Sequence, residues 1–157
     1  MKKIFMFVVA VLPLFSCSEK MPVGNEVESA VYMLSSGETE FTVSEDNTVY
    51  SFAACKGGYD GRSYTVDVVV DEEDLVRYTS LKKENFRMIP GNSFVLEPSS
   101  TVIGGDDLKA VFRVVFDPAC LTEGVDFVLP LRIVCDDPGA VKAGRDVQYV
   151  LVKKNNQ

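Results

Sequence analysis

The sequence predicts an all-β fold: an antiparallel, immunoglobulin-like β-sandwich of seven to nine strands with one short helix. Three observations carry this. Apolar residues recur at every second position along most of the chain after residue 30, the period of a half-buried strand. Clusters of Gly, Pro, Asn, Asp and Ser interrupt the alternation at short intervals. One segment, residues 71–81, breaks the period; it opens on an acidic run and then spaces its apolar residues by three. Many short strands with a single helical crossover fit a sandwich better than a layered α/β fold.

Taken in order, Val31–Leu34 is a short apolar run, and Phe41-Thr42-Val43 closes an alternating stretch from Thr39. Thr48–Ala54 is rich in strand formers. Tyr64, Val66, Val68 and Val70 share one face of the next strand, with Ser63, Thr65 and Asp67 on the other. Asp71 is placed to cap a helix over about residues 72–81, because its carboxylate can accept from the first free N–H groups and the acids that follow suit a helix N-terminus. Leu75, Tyr78 and Leu81 are its expected apolar face. Ala110, Phe112, Val114 and Phe116 alternate with Lys109 and Arg113, and Phe127–Val134 and Val147–Val152 repeat the pattern. Pro130 cannot donate to a ladder, so its strand is expected at an edge or with a bulge. Residues 109–134 read as a candidate hairpin, with Phe116 opposite Phe127. The expected single domain covers residues 30–153.

The first residues follow a different logic. Lys2 and Lys3 precede an apolar run, Ile4–Phe15, that ends at Leu14-Phe15-Ser16-Cys17. A positive start, a short apolar core and a small residue before the cut describe a secretory signal, here residues 1–16. The run is too short for a lasting span, which takes about 20 apolar residues. Cys17 at the cut resembles the lipobox cysteine of bacterial lipoproteins. The resemblance implies lipidation of Cys17, with several acyl chains supplying the second membrane signal that stable anchoring needs. Residues 17–29 then form the lipidated N-terminus and a polar tether containing Pro22 and Gly24. Glu19, two places after Cys17, is similar to surface-export signals of Bacteroides-type lipoproteins. The expected location is the outer membrane, lipid-anchored and exposed on the cell surface.

Composition narrows the chemistry. The chain has 157 residues, 16 basic and 23 acidic side chains and a net charge of −7. Removing residues 1–16 takes Lys2 and Lys3 away, leaving 14 basic against 23 acidic side chains, or −9. Nucleic-acid binding depends on neutralising phosphates, so nucleic acid is excluded as a partner. Histidine is absent, which removes the commonest general base and the usual zinc ligand. No motif selects a pair among the many carboxylates, and no Ser-x-x-Lys occurs. No catalytic residue, cofactor or metal is assigned, and the protein is expected not to be an enzyme. Asp106-Asp107 and Asp136-Asp137 lack the spacing of a calcium loop and read as solvated turns.

Cys55, Cys120 and Cys135 remain after Cys17. Cys55 continues the parity of Val49, Ser51 and Ala53, and Cys135 that of Phe127, Leu129, Leu131 and Ile133. With both faces inward the two would meet across the sandwich; three reduced, partly buried thiols are the reading adopted.

The ligand-binding candidates lie in Cys55–Arg62. Here glycines hold out Tyr59, an aromatic surface, with the Asp60 carboxylate and the Arg62 guanidinium beside it. Sugar recognition uses an apolar face plus polar groups that orient hydroxyls. Tryptophan, the strongest such platform, is absent.

The order of several elements also resembles a family. Asp71, Leu75 and Tyr78 are followed by Asn85-Phe86, Met88-Ile89-Pro90 and Phe94-Val95-Leu96. Then come Ile103-Gly104-Gly105, Val111–Val115 and Phe127-Val128-Leu129-Pro130-Leu131 with Ile133. This order is similar to that of the DUF1735 domain, common at the N-terminus of Bacteroides surface lipoproteins, over about residues 28–153. The resemblance implies a β-sandwich found beside glycan-binding or glycoside hydrolase domains, and it carries no catalytic residues. The functional expectation is a non-enzymatic surface lipoprotein, a glycan-binding or accessory module of a polysaccharide-uptake system. The alternative is an adhesion or structural component that contacts other surface proteins. The expected partners are the membrane, through Cys17, and a glycan or a surface protein.

Overall fold

A computed structural model of the chain describes residues 29–58, 60–105 and 107–155. The expected signal peptide, Cys17 and nearly all of the expected tether lie outside the described residues, as do Tyr59 and Asp106. Alternation produces ten strands: β1 (Ala30–Met33), β2 (Gly37–Val43), β3 (Val49–Gly57), β4 (Ser63–Val69), β5 (Arg87–Met88), β6 (Phe94–Glu97), β7 (Ser100–Gly104), β8 (Lys109–Phe116), β9 (Phe127–Cys135) and β10 (Val147–Lys154). One helix, α1 (Glu72–Lys82), joins β4 to β5. The strands form two sheets, ordered β1-β3-β8-β6 and β2-β10-β9-β4-β7, with β5 alongside β9.

The inner faces of both sheets supply one core. Phe52, Phe112 and Val114 come from the first sheet, and Val66, Leu129 and Ile133 from the second. Phe52 and Phe112 stack with centroids 5.5 Å apart. Each such side chain contributes about 1.5–3 kcal/mol on burial. The fold is thus the expected β-sandwich, with ten strands where seven to nine were expected and with three further differences. The second sheet is mixed, because β2 pairs parallel to β10 and β5 pairs parallel to β9, while the first is antiparallel throughout. There is no hairpin over residues 109–134: β8 lies in the first sheet and β9 in the second, so the chain between them crosses the sandwich. In β3 the inward residues are Tyr50, Phe52, Ala54 and Lys56, while Val49, Ser51, Ala53 and Cys55 face out. Cys135 does face inward, so Cys55 and Cys135 cannot meet, and Cys55, Cys120 and Cys135 are free thiols.

Pro130 sits within an interior strand and not at a sheet edge, yet it breaks no ladder. Ile133 donates to the Asp146 carbonyl on the β10 side, while Val128 accepts from Ile89 on the other side. Even-numbered positions of β9 therefore direct their backbone groups away from β10. On that side β5 pairs only to Val128 and β4 only from Arg132 onward. Pro130 occupies the gap, where no donor is needed.

The helix starts as expected. The Asp71 side chain accepts from the Glu73 N–H at 2.9 Å, and Glu72, Glu73 and Asp74 fill the first turn. Of its expected face Leu75 and Tyr78 dock, but Leu81 is exposed and Asp74 is buried instead. Positions four apart stay on one side of a helix, so the docking seam runs 74, 78, 82. Tyr78 stacks on Tyr149 at 4.5 Å and meets Phe86 at 5.0 Å over Val128 and Leu151, covering the outer face of the second sheet. Arg132 of β9 crosses beneath, its Nε donating to Asp74 at 2.8 Å, its Nη2 also to Asp74 and its Nη1 to Asp146. Asp74 is only 1% exposed. At the far end Tyr78 donates to Glu38 at 2.7 Å and Lys82 lies 2.5 Å from the same carboxylate. Lys82, then Tyr78, hold the Glu38 carboxyl below the usual range.

Among the described residues no helix is long and apolar enough to cross a membrane.

Candidate functional site

The β3–β4 loop is built around a lysine. Strand parity turns Lys56 inward at the end of the sandwich, where its stem is buried. Its ammonium cannot remain unpaired there. Asp60 folds back to meet it at 2.5 Å, and the Arg62 carbonyl accepts from it at 2.5 Å. The ammonium also lies 5.5 Å from the centre of the Tyr64 ring. The second oxygen of Asp60 accepts from the Tyr64 hydroxyl at 2.7 Å, and the first also takes the Arg62 N–H at 2.9 Å. The Lys56 ammonium, with help from the Arg62 N–H and the Tyr64 hydroxyl, holds the Asp60 carboxyl far below its ordinary range. The same bond pushes the Tyr64 hydroxyl up. Asp60, expected from sequence to face a ligand, thus has both oxygens occupied within the loop it closes.

Arg62 is placed differently. Its guanidinium is 70% exposed and lies 3.9 Å from the carboxylate of Asp137, which is itself half exposed. Asp137 is fixed by its other oxygen, which accepts from the Gly139 N–H and caps the turn Pro138–Ala140. Its neighbour Asp136 accepts from the Thr65 N–H at 3.2 Å. The loop's Arg62 and this turn are brought together across the end of the second sheet, because Val66 pairs with Cys135. An exposed guanidinium beside an exposed carboxylate offers donors and acceptors in one place, suited to a polyol. Sequence reasoning named Arg62 and read Asp137 only as a turn residue. The two stand 75 positions apart, and only the β4–β9 register joins them.

A second aromatic lies nearby on the first sheet. Tyr32 of β1 pairs with Cys55 and carries the Arg145 guanidinium 4.5 Å over its ring. A side chain on Gly57 would meet that ring at 3.4 Å. Among the described residues no set of three acidic or cysteine side chains converges as a metal site.

The turn Ile103-Gly104-Gly105 has a steric reason. A Cβ on Gly104 would fall 2.4 Å from the Cα of Ser63 in the paired strand, and its φ is +155°. Gly105 has φ +59°. Both positions favour glycine.

Comparison with known proteins places this fold among Bacteroides proteins. No curated protein matches the chain. A solved structure from Bacteroides ovatus, described as a candidate carbohydrate-binding protein, superposes with a TM-score of 0.66 at 21% identity, covering 82% of this chain and 38% of that one. Bacteroides thetaiotamicron EndoBT-3987, solved with Man5GlcNAc product, gives a TM-score of 0.60 at 14% identity over 74% of this chain and 28% of that one. A multidomain Bacteroides ovatus protein that includes DUF1735 gives 0.58 at 13% identity, over 79% and 44%. The chain spans less than half the length of each. A family model for a "-like, N-terminal domain" matches residues 25–139, most of the chain. The chain belongs to the DUF1735 family of N-terminal domains.

Proposed function

We propose that this protein is a non-enzymatic, lipid-anchored surface module that binds glycan, or assists glycan binding, in a polysaccharide-uptake system. The observation that carries this reading is the family's fold, which recurs in a Bacteroides protein described as a candidate carbohydrate binder. The rim geometry supports it. Arg62 and Asp137 present paired hydrogen-bonding groups at the end of the sandwich, and Lys56 with Asp60 locks the loop that carries Arg62. Tyr59, next to Asp60 in that loop, is the aromatic surface in this reading. A loop already locked loses less entropy on binding than a mobile one. The absence of histidine and of any motif that selects two carboxylates supports a binding role over catalysis.

Anchoring through Cys17 at the outer membrane belongs to the same proposal, and rests on the lipobox pattern and the charge of the leader. Changing Cys17 to Ser is expected to release the protein from the membrane fraction or to block its maturation. Unchanged processing with continued membrane association refutes the lipid anchor. The glycan reading is tested by screening the chain lacking residues 1–17 against host and dietary polysaccharides. Saturable binding to at least one is expected, and binding to none refutes it.

A further inference from the structure

Many cations of this acidic chain are already spent. Lys56, Arg62, Arg77, Lys82, Arg132 and Lys153 each stand in an ion pair. Lys109, Lys142 and Arg145 are exposed, and no ion pair among the described residues includes them. The fold gathers these three around one aromatic ring.

Register does the gathering. On the outer face of the first sheet Tyr32 of β1 is partnered by Cys55 of β3, and Cys55 by Lys109 of β8. Lys109 thus starts two strand spacings, about 10 Å, from Tyr32. On the other side of β1 the 142–145 segment runs along the edge. There the Lys142 N–H donates to the Val31 carbonyl, and the Met33 N–H donates to that of Arg145. The Arg145 guanidinium lies 4.5 Å over the Tyr32 ring centre. The next row towards the β3–β4 loop is Ala30 beside Gly57, which have little or no side chain. The ring therefore stands at the border of a low shelf. The same segment follows directly on the turn that Asp137 caps, so this cluster continues the surface of the Arg62–Asp137 rim.

A guanidinium stacked on a ring is held in one plane, and its N–H groups match the two oxygens of a carboxylate. A ring beside fixed polar groups is also what a sugar contacts. We propose that this cluster is an acid subsite: Arg145, held by Tyr32, takes the carboxylate of an acidic sugar, with Lys109 and Lys142 as flanking cations. The inference rests on the glycan reading above and adds to it the class of sugar. The net negative charge of the chain does not oppose it. Exposed charges more than about 8 Å apart are screened at physiological ionic strength, so one carboxylate responds to the three cations beside it. A long polyanion would meet the acidic surface as a whole.

The test is calorimetric titration of the chain lacking residues 1–17, which keeps every element of the sandwich. The probes are a short oligogalacturonate, a glucuronate-containing oligosaccharide and a sialylated one, each beside its carboxyl-reduced, neutral form. At least one acidic form is expected to bind about tenfold more tightly than its neutral form, and added salt should weaken it. Arg145→Gln and Lys109→Gln should each weaken the acidic form and leave the neutral form unchanged. Arg145→Lys keeps the charge but loses the planar fork, so it should weaken binding too. Circular dichroism checks that each variant is folded. Equal binding of acidic and neutral forms overturns the subsite and leaves the glycan reading standing. Binding of no acidic form overturns it as well, as does acid binding indifferent to Arg145→Gln and Lys109→Gln. Acid binding that depends on Arg145 but not on Arg62 supports the subsite even if the rim fails.

Discussion

Lys56 and Asp60 decide what the candidate loop can be. An inward lysine at a strand end must find an anion, and Asp60 is spent on it. Because Lys56 holds the Asp60 carboxyl far below its ordinary pKa of 3.8, the ionised form is the one the fold stabilises. That contribution is complete above the ordinary carboxylate range and is lost as pH falls through and below it. Asp60→Asn should therefore lower the Tm at neutral pH, and its deficit relative to wild type should narrow below about pH 4. Calorimetry across pH reads this directly; a deficit constant with pH contradicts it. Asp60 and Arg62 were legible in the sequence as a polar pair in a glycine loop. Lys56 was not, because Thr48–Ala54 carries apolar residues on both faces and alternation alone cannot say which faces in. The same ambiguity left open a meeting of Cys55 with Cys135, which the outward Cys55 excludes; the thiols are free, as the adopted reading had them. Cys135 is buried, its thiol is pushed up by that burial, and it donates to the Asp137 carbonyl.

Helix α1 shows what spacing does and does not reveal. Its start was legible to the residue, since Asp71 and the acids behind it have one physical use. Its docking face was legible in part: Leu75 and Tyr78 dock as the spacing predicts, but Leu81 is exposed and the buried Asp74 carries no hydrophobic signal. Asp74 is buried against Arg132, and breaking a buried pair leaves a charge uncompensated. Asp74→Ala should cost about 3 kcal/mol in urea unfolding, and the double variant Asp74→Leu, Arg132→Met should cost less than the sum of its single changes. Additive losses contradict the clamp. In β7, Gly104→Ala must push against the Ser63 backbone and should cost about 2 kcal/mol or more. Pro130 carries the complementary lesson: a sheet-interior strand tolerates proline where its neighbours on one side change from β5 to β4.

At the scale of the molecule, alternation and turn chemistry were enough for a β-sandwich, because one buried core imposes a period of two on every strand. The pairing partners were not legible. The parallel β2–β10 pair joins distant segments, and the crossing from β8 to β9 sends neighbouring strands to different sheets; local pattern carries no record of either. The same is true of the Arg62–Asp137 rim, which exists only because β4 and β9 share a register. The family's element order was readable because each element has a local cause: a capped helix, a glycine that Ser63 forces, a strand that accommodates Pro130. The central claim is that this sandwich binds glycan through the rim. Its most direct test is calorimetric titration of the polysaccharide that binds best in the screen. Saturable binding is expected, weakened about tenfold or more by Arg62→Ala and by Asp137→Asn in proteins that remain folded. Titrations unchanged by both substitutions contradict the claim.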